Sequence, residues 1–135
     1  MIEKLFDIAE KNNIDIDYFK MRKVSSLSVP GAVALDTRKL SDTTDANVHL
    51  AHELGHCITG SFYNIYCKYE TKNRHEYRAD KWAITTLIPF DILSEALQNG
   101  MTEKWQLAEH FEVTEPFIEK VLCFYENKLL ELKSH

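Results

Sequence analysis

Residues 49–60 read HLAHELGHCITG and set three histidines and a glutamate inside a mostly apolar run. Imidazoles and a carboxylate are poor core material, so what they face decides how the chain folds around them. At about 100° per residue, His49, His52, Glu53 and His56 share an arc of about 100° on a helical wheel. Val48, Leu50, Ala51, Leu54, Cys57 and Ile58 cover the apolar remainder. The stretch predicts a helix over residues 46–59, capped by Asp45 and ended by a left-handed Gly60. Gly55 lies mid-helix at a cost of about 1 kcal/mol against alanine, which implies that another backbone approaches there. Cys57 belongs to the apolar arc and is read as core rather than ligand.

His52 and His56 stand four residues apart, so their rings project side by side with Glu53 between them in sequence. This is HExxH on a helix: two imidazoles suited to zinc and a glutamate placed to take a proton from metal-bound water. A catalytic zinc site needs a third protein ligand, and a second helix over residues 73–87, closed by Pro89, offers one. There Glu76 and Asp80 fall in the middle of the stripe formed by Ala79, Ala83, Ile84 and Leu87. Buried carboxylates are expensive unless they bind a metal or are hydrogen-bonded. Glu76 is therefore the expected third ligand and Asp80 the group that accepts the free N–H of a ligating histidine. His75 and Glu70 are alternative third ligands. Such coordination lowers the pKa of a bound water from about 15.7 towards about 7. Glu53 is then the expected catalytic base, and an oxyanion donor is sought among His49, Tyr63, Tyr66, Tyr69 and Tyr77.

The remaining chain frames these helices. Residues 2–12 and 15–22 read as short helices. Residues 24–36 (VSSLSVPGAVALD) alternate around Pro30-Gly31 and predict a β-hairpin. Residues 37–45 are a polar loop, and 61–72, rich in aromatics, read as loop or short strand. Helical pieces follow at 91–98, 102–110 and 115–132. The expected fold is α+β: residues 1–135 as a mostly helical single domain with a small antiparallel sheet around a zincin-like HExxH helix core.

The chain has 135 residues, 44% hydrophobic and 27% charged, with a net charge of −5, which excludes wholesale wrapping of nucleic acid. The apolar runs are too short for a membrane span, and MIEKLFDIAEKNN lacks the features of a signal peptide. Three scattered cysteines suit free thiols, so a cytoplasmic location is expected.

HELGH (52–56) followed by HEYRADKWAITTLIP (75–89) resembles the ImmA/IrrE family of metallopeptidases. In the family's second motif, Glu76 matches the metal-binding glutamate, Ala79-Asp80 the Ala-Asp pair, Trp82 a phenylalanine and Ala83 the last alanine. Arg78 departs from it, standing where a second glutamate is common. The wheel points Arg78 to solvent, so no loss of metal is expected. The resemblance implies a thermolysin-like site holding one Zn2+ and cleavage of a cytoplasmic helix-turn-helix repressor of a phage or integrative element, relieving repression. It also implies that the hairpin strand over residues 32–36 borders the cleft, where a substrate strand adds. A rival reading keeps every ligand but has the protein inactivate its partner by binding, without cleavage. Residues 101–135 themselves resemble a helix-turn-helix, with Leu107, Ala108, Phe111, Val113, Thr114 and Ile118 as its core. They carry seven Glu against four Lys, however, which argues for a packing or docking unit rather than DNA reading.

Overall fold

Asn13 takes φ 55° and turns the chain out of α1 (Ile2–Lys11) towards a strand, β1 (Asp15–Tyr18). The computed structural model describes residues 2–64 and 66–133. The helix expected over 15–22 is thus corrected. Ile16 and Tyr18 suit a pleated surface, and Asp15 and Asp17 are weak in helix interiors. The partner that decides the matter is distant in sequence: β1 runs parallel to β3 (Ala32–Leu35), with Asp15 opposite Ala32 and Tyr18 opposite Leu35.

The hairpin forms as expected. β2 (Ser26–Val29) pairs antiparallel with β3, and Gly31 takes φ 85°, which a type II turn requires after Pro30. The strand order is β1-β3-β2, so the sheet is mixed rather than antiparallel. β3 is flanked on both sides and cannot accept a further strand. The expectation that residues 32–36 receive a substrate strand is corrected, because β2 is the edge strand beside the helices.

α2 (Thr43–Thr59) begins three residues earlier than expected, because Asp42 rather than Asp45 is its cap. Asp42 Oδ1 accepts from the Asp45 backbone N–H at 2.9 Å, and Asp45 Oδ2 accepts from the Ser41 N–H at 2.9 Å. Gly60 ends the helix at φ 65°. α3 (Tyr69–Leu87) also starts early, a full turn before Asn73, with Lys68 at the N-cap and no side-chain cap. α4 (Phe90–Gln98), α5 (Lys104–Phe111) and α6 (Glu115–Lys133) lie within a residue or two of expectation.

One hydrophobic core joins Leu50 and Leu54 of α2, Ala83 and Leu87 of α3, Val33 and Leu35 of β3, and Leu107, Ile118 and Val121 of α5 and α6. Each fully buried leucine or isoleucine stabilises the fold by about 1.5–3 kcal/mol. Polar ties join the C-terminal helices to the rest: the Asn47 side chain donates to the Glu112 carbonyl at 3.1 Å, and the Tyr125 hydroxyl to the Ile88 carbonyl at 2.6 Å. Among the described residues, no helix is long and apolar enough to cross a membrane.

Candidate metal centre

α2 and α3 meet where Gly55 faces Ala79. A Cβ added at Gly55 would stand 2.5 Å from the Ala79 carbonyl oxygen. This is the backbone approach that a mid-helix glycine implies. Ala79 lies between Glu76 and Asp80 on α3, so the contact sets both carboxylates against the histidines of α2.

His52 Nε2 and His56 Nε2 lie 3.2 Å apart. Glu76 spans them, with Oε2 at 2.9 Å from His52 Nε2 and Oε1 at 3.4 Å from His56 Nε2. The opposite ring nitrogens are also held: His52 Nδ1 by Asp80 Oδ1 at 2.8 Å, and His56 Nδ1 by the Ser61 carbonyl at 2.5 Å. Both partners accept only, so each Nδ1 carries a proton and each Nε2 is turned towards Glu76. Two Nε2 atoms and a carboxylate thus converge on one point, which a proton or a metal ion must bridge. Ligands about 2.0–2.1 Å from a tetrahedral zinc ion stand about 3.3 Å from one another, so the spacing fits a divalent ion. Among the described residues, His52, His56 and Glu76 form the metal-binding cluster.

The electrostatics agree. Burial pushes the His52 ring down, but the carboxylates of Asp80, Glu53 and Glu76 outweigh it, and the net shift is upward. Burial pushes Glu76 up, yet the Tyr63 hydroxyl and the two imidazoles hold it below its usual value. Asp80 is likewise raised by burial and lowered more by the His52 ring and Lys120, whose Nζ is 3.6 Å away. The pocket therefore favours positive charge.

Glu53 is 8% exposed and turns towards β2. Its Oε2 accepts from Ser26 Oγ at 2.7 Å and its Oε1 from Ser28 Oγ at 2.6 Å. A cleft of about 320 Å3 is lined by Ser26, Ser28, His52, Glu53, His56, Tyr63 and Glu76. Of the four tyrosines considered as oxyanion donors, Tyr63 lines this cleft, and its hydroxyl donates to Glu76 Oε1. Tyr66, Tyr69 and Tyr77 are exposed and do not line it. His49 leans away, its Nδ1 2.9 Å from Ser26 Oγ and its Nε2 3.5 Å from Asp45.

Neither alternative ligand joins the cluster. His75 stacks on the Tyr63 ring at 6.1 Å, and Glu70 is exposed in the first turn of α3. Arg78 is exposed, as the wheel implies. Cys57 packs against the core, and burial raises its thiol pKa.

Sequence reasoning missed Ser26, Ser28 and Ser61. A two-residue turn at Pro30-Gly31 pairs Ser28 with Val33 and Ser26 with Leu35. Val33 and Leu35 are buried, so counting back from the turn puts both serines on the inner face.

No curated protein matches the chain significantly. The family model described as the IrrE N-terminal-like domain matches residues 9–122, well beyond the two motifs and into α6. With the His52, His56 and Glu76 cluster in place, the chain belongs to the IrrE N-terminal-like family of metallopeptidases.

Proposed function

We propose that the chain is a cytoplasmic zinc-dependent endopeptidase that cleaves a helix-turn-helix repressor of a phage or integrative element and so relieves repression. The observation that carries this reading is the convergence of His52, His56 and Glu76 beside Glu53, in a cleft that runs along the edge strand β2. The substrate class comes from the resemblance to ImmA/IrrE proteins.

His52, His56 and Glu76 would hold the ion, with Asp80 fixing the His52 ring. When bound, a zinc ion supplies a Lewis acid and an acidified water. Glu53, held in its cleft position by the two serines, is the base that takes a proton and returns it to the leaving amine. Tyr63 is the oxyanion donor: it lines the cleft, and its one O–H turns from Glu76 to the substrate when it acts. The free edge of β2 suits an extended peptide pairing in β-fashion beside the base. Residues 1–135 act as one metallopeptidase domain in this reading. α5 and α6 serve as packing or docking helices with no direct contact to nucleic acid, because residues 101–135 carry seven Glu against four Lys and repel phosphates.

The experiment is incubation of the zinc-loaded protein, wild type and Glu53→Gln, with a panel of purified helix-turn-helix repressors, read by mass spectrometry. Fragments from wild type alone are expected. Equal inactivation of a repressor by both proteins without fragments would overturn cleavage in favour of antirepression by binding.

A further inference from the structure

The alternation of β2 is reversed. Ser26 and Ser28 face α2, while Leu27 and Val29 point outward, 50% and 49% exposed. Hydrophobicity alone would turn the strand over. A slip of one residue would do so, but the two-residue turn and the burial of Val33 and Leu35 hold the register. Two half-exposed aliphatic side chains are thus accepted while two hydroxyls face the helix, and both hydroxyls end on one group. Residues two apart on a strand share a face about 6.7 Å apart, and these two straddle the Glu53 carboxylate.

We infer that Ser26 and Ser28 are positioning residues that lock the plane and direction of the Glu53 carboxylate. The inference rests on the reading of Glu53 as the base. Each carboxylate oxygen takes one hydroxyl, at 2.7 and 2.6 Å, within the short range of charge-assisted bonds. The terminal torsion of a glutamate is otherwise broad. An ionised carboxylate only accepts, and a serine has one O–H, so both serine protons go to Glu53. His49 Nδ1 must then donate into Ser26 Oγ, which anchors Ser26 in turn. Each Glu53 oxygen retains a lone pair, so the clamp leaves the base free to take a proton.

The test compares wild type, the double variant Ser26→Ala/Ser28→Ala and the conservative double variant Ser26→Thr/Ser28→Thr. Each is zinc-loaded and assayed on the best-cleaved member of a quenched-fluorescent peptide library. With zinc content unchanged, the alanine pair is expected to lower kcat by about ten- to a hundredfold with little change in KM. The threonine pair is expected to restore most of the loss. In a Glu53→Gln background the alanine pair is expected to change the residual rate no further, a non-additivity that a merely structural role would not produce. A second readout needs no activity. In the metal-free protein, the alanine pair is expected to lower the urea midpoint more when Glu53 is present than in a Glu53→Met background. Equal midpoint losses in the two backgrounds would overturn the clamp itself. Wild-type cleavage matched by the alanine pair would overturn its catalytic role and leave the peptidase reading standing. Failure of wild type to cut any library member or repressor would overturn the peptidase reading, and the catalytic role with it.

Discussion

Gly55→Ala tests the contact on which the metal centre depends. The added Cβ would sit 2.5 Å from the Ala79 carbonyl oxygen, 3.0 Å from its Cα and 3.1 Å from its carbonyl carbon. Ordinary contact begins at 3.4 Å, so α2 and α3 must separate by about 0.9 Å, the difference between 3.4 and 2.5 Å. All three atoms are backbone, so no rotamer change relieves the clash. Two terms decide stability: overpacking costs about 1–3 kcal/mol, and replacing a mid-helix glycine by alanine returns about 0.8–1 kcal/mol. The net loss in the metal-free protein is about 0–2 kcal/mol, small enough for the fold to survive. The metal site is less forgiving, since ligand distances hold to about 0.2 Å. A displacement several times larger carries Glu76 and Asp80 away from His52, and weakening the outer support alone costs about ten- to a hundredfold in affinity. Competition against a chromophoric zinc chelator measures the affinity, and urea unfolding of the metal-free protein measures the stability. A Gly55→Ala protein that keeps wild-type zinc affinity and gains about 1 kcal/mol of stability would refute the close approach as the device that builds the site.

Glu76→Ala should abolish stoichiometric zinc binding, because two imidazoles alone leave the site a ligand short; unchanged metal content would move the third ligand elsewhere. Asp80→Asn should keep the metal but weaken it by about ten- to a hundredfold, and equal affinities in chelator competition would remove Asp80 from the site. Asp36 is held far below the usual carboxylate range by the Arg38 guanidinium and the Met21 N–H. Because its folded pKa is depressed, its contribution to stability is complete above about pH 3.9 and is lost as the pH falls below that. Asp36→Asn should therefore flatten the acid limb of the urea midpoint against pH, and parallel profiles would contradict the assignment. Tyr125→Phe leaves the buried Ile88 carbonyl without its donor and should cost about 1–3 kcal/mol on unfolding; a loss near zero would mean that water replaces the hydroxyl.

What was readable in advance divides along the distance over which each feature is determined. His52 with His56, and Glu76 with Asp80, are pairs four residues apart, and a helix brings such pairs together whatever the rest of the chain does. Their faces followed from the wheel. The first turn of α3 was not readable, because Tyr69–Lys72 has no capping side chain before it and Lys68 leaves no mark of a start. β1 is hidden in the sequence for a different reason: its strand state exists through β3, seventeen residues away, and parallel pairing has no turn to announce it. The serines of β2 fall between these cases. Their inward face is non-local in effect but local in cause, because the length of the turn at Pro30-Gly31 sets the register, and the register sets the face. Reading Leu27 and Val29 by hydrophobicity hides this. Counting back from the turn exposes it, since Leu27 must lie opposite Ala34 and Ser28 opposite Val33. Gly55 is the converse case. It is a local anomaly, a poor helix former in the middle of a helix, and its cause lies on another element at Ala79. Such a residue signals that something non-local happens at its position without naming the partner. In this chain the partner is the stretch of α3 between the two carboxylates, which is why one missing Cβ and one metal centre belong to the same argument.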